Sequence, residues 1–279
     1  MRSFTFKKVM AMFFAVCMLS LSVFAFASCS GGGDKIPAHD EVAVNDEGVK
    51  FYLSLNNDGF DYTIVGIAYD TTCDVLNIPS DFEGLNIIAI GNSAFHGKRS
   101  VFTKAVIPDT IETIGNSAFY GTELKEIEIP SSVKSIGDMA FAVTDLESIV
   151  IPSTVESIGR GTFMTCTSLK SAYIPGNLTV VREMFSSCSA LKEVTLEDGV
   201  SKIELDAFSS CKALEVLTVP ASVSKIDAPF FGCSSLREVT FGGSKSEWNF
   251  RYVESDGGTD EYHPNFTVRC QDGEVSERG

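Results

Sequence analysis

The chain has 279 residues, 44% of them hydrophobic, with 22 Lys and Arg against 37 Asp and Glu, for a net charge of −15. That balance argues against nucleic acid, whose binding needs clustered cations to displace counterions. It argues equally against direct adsorption to anionic phospholipid headgroups.

Residues 1–28 begin with Arg2, Lys7 and Lys8 and continue as an uncharged apolar run from Val9 to Ala27, the pattern of a secretory leader. The run is nearly long enough to span a bilayer, so an uncleaved anchor is the alternative. Phe26-Ala27-Ser28-Cys29, followed by Ser30 and three glycines, resembles a bacterial lipoprotein signal. The resemblance implies Cys29 as a lipidated first residue and a membrane contact made only through its acyl chains. Loss of the leader removes three basic residues, leaving 19 against 37 acidic ones, a net −18. Residues 29–50, rich in Gly, Asp, Glu and Ala, read as a flexible tether. Alternation in Phe51–Leu55 and Tyr62–Ile67 around Asn56-Asn57-Asp58-Gly59 predicts a β-hairpin, and residues 51–75 then form an N-terminal cap.

From residue 76 to 241 the chain repeats itself. A short alternating run ends at Ile78, Ile107, Ile129, Ile151, Ile174, Leu196, Val219 and Phe241, in steps of 29, 22, 22, 23, 22, 23 and 22 residues. A phenylalanine follows each run, at Phe95, Phe119, Phe141, Phe163, Phe185, Phe208 and Phe231. A period of 20 to 29 residues with branched aliphatics at set offsets marks a leucine-rich solenoid. Within one rung, Ile127 and Ile129 alternate with acids as a half-buried strand, and Pro130, lacking an N–H, ends it. Gly137 is expected to permit a sharp turn, and Asp138–Phe141 to form one helical or 3₁₀ turn. A lone rung cannot bury enough surface to fold, so stability must arise between stacked neighbours. The predicted fold is thus α/β: one parallel sheet of about eight strands, short helical turns on the other side, and β-type caps. The extra residues Asp81–Leu85 and His96–Phe102 predict loops in the first rung, and residues 242–279 a C-terminal cap, in which Gly242–Asn249 leads into a polar loop and the tail frays from Gln271.

The phrase I-P-S-x-V-x-x-I-G-x-x-A-F, read at Ile129 and again at Ile151, resembles the BspA-type leucine-rich repeat of bacterial surface proteins. The closing G-G-S-K-S-E-W and V-R-C-Q-D-G segments are similar to the end caps of that family. The resemblance implies a right-handed superhelix and, for some members, adhesion to host matrix proteins or to other bacteria.

Cys166, Cys188, Cys211 and Cys233 recur once per rung, which predicts a line of packed thiols along the axis instead of a converging metal site. His39, His96 and His263 share no motif with a nucleophile, and no G-x-S-x-G, H-E-x-x-H or P-loop string occurs, so no catalytic residue, metal or cofactor is assigned. The surface expected to bind is the outward face of the strands. Its central column runs through Val106, Glu128, Val150, Tyr173 and Thr195, with Glu126 and Glu193 beside it. Tyr173, which offers both apolar area and a hydroxyl, is the expected anchor there. The leading expectation is a non-catalytic envelope lipoprotein, on the outer-membrane surface or the periplasmic side, that binds a host matrix or bacterial surface protein. The alternative is a glycan-binding accessory protein using Trp248, Tyr252 and Tyr262 in the end cap as its aromatic platform.

Overall fold

The computed structural model describes residues 38–68, 71–99, 101–178, 180–227, 229–253 and 265–277. The leader and Cys29 lie outside them. Each rung has three sides. A front row of strands comprises Val75–Asn77, Lys104–Val106, Glu126–Glu128, Ser148–Val150, Ser171–Ile174, Glu193–Leu196, Val216–Val219, Glu238–Phe241 and Phe266–Cys270. In most rungs the chain then turns at proline, whose carbonyl accepts a bond from the N–H three residues on, as in Val133 to Pro130 at 3.1 Å and Val155 to Pro152 at 3.1 Å. A side row follows: Leu85–Ile90, Thr113–Ile114, Ser135–Ile136, Ser157–Ile158, Val180–Val181, Lys202–Ile203, Lys225–Asp227 and Tyr252–Val253.

The expectation of one parallel sheet is therefore corrected: strands pair in parallel on two sides of the rung. Front-row ladders link residues 75–128, 148–196 and 216–270 in three groups of three. Side-row ladders link 85–158 and 180–253. The expected helical turns are corrected too. The third side consists of turns in which alternate residues donate to the next rung: Ser117 N–H to Asp138 O, Phe119 N–H to Ala140 O and Gly121 N–H to Ala142 O, at 2.8, 2.8 and 3.0 Å. Such pairing demands left-handed backbone at two places per rung, for example at Ser117 (φ 53°) and Gly121 (φ 68°), and at Met139 (φ 52°) and Val143 (φ 58°). A helix would turn these donors back into its own rung and forfeit the stacking bonds.

Alternation places Leu76, Ala105, Ile149, Ala172, Val194, Leu217 and Val239 of the front row in the core. Behind them, Phe119, Phe141, Phe163, Phe185 and Phe208 stack nearly parallel with centroids 5.2–5.8 Å apart. The next ring is Phe230, 6.1 Å from Phe208, and not Phe231, which is partly exposed. Edge-on rings close the column, Phe102 against Phe95 at one end and Phe266 against Phe230 at the other. Cys166, Cys188, Cys211 and Cys233 line this core as free thiols. Each of the four Sγ atoms donates to the carbonyl of the phenylalanine one rung back, Cys188 to Phe163 at 3.1 Å and Cys233 to Phe208 at 2.9 Å. Burial pushes the Cys188, Cys211 and Cys233 thiols up, the last to about 12, so they stay protonated donors.

Gly137, expected to permit a sharp turn, is not in the left-handed region. Its lack of a Cβ matters because the preceding rung comes too close: a Cβ there would lie 2.4 Å from Asn116 Oδ1 and 2.5 Å from Asn116 N. Gly115 and Gly159 face the same approach, and the following side chain exploits it. Asn92 Oδ1 accepts from Asn116 N–H, Asn116 Oδ1 from Asp138 N–H and Asp138 Oδ1 from Arg160 N–H, at 2.7–2.8 Å.

At the N-terminal end, Lys50–Leu55 and Asp61–Ile67 pair antiparallel as expected, and Asp61–Ile67 pairs in parallel with the side row. Part of the segment read as tether is structured as well: Glu41–Val44 pairs with Lys50–Leu55, burying Ala43 and Val49. Asp81–Phe82, read as loop, folds back on Leu85–Asn86. At the other end Lys245–Arg251 forms a short helix, residues 254–264 of the expected polar loop lie outside the described residues, and the tail read as frayed contains Gly273–Glu277, antiparallel to Phe266–Cys270.

Candidate functional site: the outward face of the front row

Outward-pointing residues of the front row form two columns fixed by strand register. Asn77, Val106 and Glu128 stand side by side, as do Val150, Tyr173 and Thr195. Beside them run Val75, Lys104 and Glu126, then Ser148, Ser171 and Glu193. All six residues proposed from sequence, Glu126, Glu128, Val150, Tyr173, Glu193 and Thr195, lie on this face; Tyr173 is half-buried and the others are exposed. Register unites Val150, Tyr173, Thr195 and Glu193 in one ladder and Glu126 with Glu128 in another. Between the two ladders, strands Glu126–Glu128 and Ser148–Val150 are adjacent but unpaired. An open groove of about 1020 Å³ lies along this junction, lined by Lys104, Val106, Glu126, Glu128 and Ser148 among others.

Val106 and Val150 are 45% and 64% exposed and flank Glu128 in rung order. Tyr173 is held by its hydroxyl, which donates to Glu197, while Glu197 also accepts from Gly176 N–H at 3.2 Å. The bond to Tyr173, and then that to Gly176, hold the Glu197 carboxyl below its ordinary value, and the same bond raises the tyrosine. Acids of the two columns differ in their partners. Glu126 meets Lys104 at 3.1 Å and Glu238 meets Arg269 at 2.9 Å, whereas Glu128 and Glu193 have no ion pair among the described residues. The 22-residue offset of Lys104 from Glu126 could have revealed the first pair; the Tyr173 to Glu197 bond, which joins a strand to the next rung's turn, has no such signal.

Trp248 is not available to the aromatic end-cap platform expected from sequence. Trp248 is fully buried, its ring 5.4 Å from that of Phe241. The Tyr252 side chain and Tyr262 lie outside the described residues. Among the described residues, no group of three His, Cys, Asp or Glu side chains is placed to hold a metal.

A leucine-rich repeat protein from Bacteroides ovatus is similar in fold, with a TM-score of 0.50 and 22% identity over 82% of this chain and 67% of that one. A leucine-rich repeat protein of T. pallidum aligns with a TM-score of 0.49 and 23% identity over 59% of this chain and 87% of that one. A leucine-rich cell surface protein of Faecalibacterium prausnitzii covers 80% of this chain at 16% identity, with a TM-score of 0.33 over its whole length. No curated protein matches. The BspA type leucine-rich repeat region matches in six copies over residues 88–184 and 179–252. Two parallel strands and a stacked phenylalanine per rung, with a glycine corner in the rungs up to Gly159, are the physical content of those copies, and the chain belongs to the BspA type leucine-rich repeat family.

Proposed function

We propose that this chain is a non-catalytic protein-binding module of the cell envelope, anchored through a lipidated Cys29, that meets its partner with the outward face of the front row. The observation behind this reading is the exposure of Val106 and Val150 on a rigid strand face whose other side is fully packed core. Branched aliphatics on a fixed backbone offer apolar area without an ordering cost. Leucine-rich solenoids serve generally as contact surfaces, and the placement of Cys166, Cys188, Cys211 and Cys233 in the core leaves those four thiols no role in chemistry at the surface.

The test has two arms. Cys29→Ser should move the protein from the membrane to the soluble fraction; unchanged fractionation would remove the anchor. Purified matrix and bacterial surface proteins, screened by biolayer interferometry, should include one whose affinity falls at least tenfold with Val150→Asp. Binding left intact by that substitution and by Tyr173→Ala would place the contact elsewhere.

A further inference from the structure

We infer that the partner of this face presents an extended Arg-x-Φ-x-Arg segment, Φ being an aliphatic residue, laid across the rungs with its arginines on Glu128 and Glu193. This deepens the binding-face reading and rests on it. Of the four acids in the two outward columns, Glu126 and Glu238 are each neutralised by a cation on a neighbouring strand. Glu128 and Glu193 are both exposed and have no cation among the described residues. These two bracket Val150, 64% exposed, and the Tyr173 ring, so an apolar centre lies between two uncompensated negative charges.

The spacing selects the ligand. Glu128 and Glu193 lie three rungs apart, about 14 Å across the strands, and in neighbouring columns, about 7 Å along them, which makes about 16 Å in all. An extended chain laid obliquely over the rungs advances about 3.4 Å per residue, so side chains four apart start about 14 Å from one another on one face, with the middle one between them, and the long arginine side chains cover the remaining ~2 Å. A guanidinium fits each carboxylate with two parallel N–H···O bonds, and its flat face can lie over Tyr173. The excess of acidic over basic residues across the chain adds long-range attraction for such a segment.

A fluorescein-labelled peptide containing Arg-x-Val-x-Arg, titrated into the full chain at low salt and followed by anisotropy, should bind, whereas the same peptide with glutamates for both arginines should not. Glu128→Gln and Glu193→Gln should each weaken it about threefold and the pair together about tenfold. Glu238→Gln, which removes an acid already paired and two rungs beyond Glu193, should leave it unchanged. Equal losses from all three substitutions would mean diffuse attraction to an acidic surface and overturn the inference, as would absence of binding. Capture of a protein partner that depends on Val150 while the arginine peptide fails would remove this inference and leave the binding face standing.

Discussion

Val143 has φ at 58° on the turn side, a conformation costly for a β-branched residue. Its N–H must donate to Met164 O at 2.8 Å, and that bond holds the backbone in place. Gly97, Gly121 and Gly232 occupy the same place in other rungs without strain. Val143→Gly should therefore raise stability by about 1 kcal/mol, net of glycine's greater freedom in the unfolded chain, as measured by urea denaturation. Asp206, at the other left-handed place, carries a different cost. Burial, then the neighbouring Glu183, raise its carboxyl above the ordinary 3.8, against the pull of a bond from Ser209 and the charge of Arg160. A raised acid favours folding while protonated, and that contribution is lost as pH climbs from the unfolded value through the folded one. Asp206→Asn keeps the acceptor and tolerates left-handed backbone, so it should raise the thermal midpoint by about 1–3 °C at pH 7. The gain should vanish below pH 3, where aspartate is protonated in both states.

Glycine corners decide how the side row stacks. Gly115, Gly137 and Gly159 sit where a Cβ would come within 2.3–2.6 Å of the preceding rung's backbone. Gly137→Ala should force rungs apart on both sides and cost about 2–3 kcal/mol, with loss of the Asn116 and Asp138 side-chain bonds visible as faster amide exchange at Asp138 and Arg160. In the following rung Arg182 takes the glycine's place, and there the side-row ladder is interrupted, between Ile158 and Val180. A rung with a Cβ at its corner cannot stack flush on one that depends on having none. That irregularity was legible in sequence as Val181-Arg182 in place of Ile-Gly, and so was the front row, because its alternation shows one buried face. The side row was not: each of its strands is two or three residues long over most of the array, and backbone pairing that short imposes no alternation to read. Phe230 against Phe231 was legible in principle, since Phe163, Phe185 and Phe208 each precede their cysteine by three residues and Phe230 alone keeps that spacing to Cys233. The end-cap helix was also signalled, by Ser244-Lys245-Ser246-Glu247, in which Glu247 N–H donates to Ser244 Oγ and Ser244 N–H to Glu247 Oε2, at 3.3 and 2.8 Å. The binding face was legible as columns, but not as paired and unpaired acids, because ion pairing depends on side-chain reach that spacing does not specify.

Across the whole array the ladder interruptions are staggered. The front row breaks after Glu128 and after Leu196, the side row after Ile158. Where one row breaks the other is paired: Ser135–Ile136 with Ser157–Ile158 beside the first gap, Ser148–Val150 with Ser171–Ile174 beside the second, Lys202–Ile203 with Lys225–Asp227 beside the third. The turn side adds bonds at all three levels, among them Val143 to Met164, Thr165 to Ser186 and Ser210 to Phe231. The phenylalanine column passes every gap. No plane between rungs therefore lacks both main-chain bonds and buried contact, and coupling between neighbours exceeds what any rung can lose alone. The array should unfold as a single unit. Trp248, the sole tryptophan, is buried against Phe241 beyond the last interruption, so its fluorescence reports the C-terminal end while far-UV circular dichroism reports every rung. The two signals should give the same urea midpoint. A tryptophan transition that precedes the dichroism would mean that the rungs after Leu196 separate first, and that the staggered gaps weaken the array instead of being bridged.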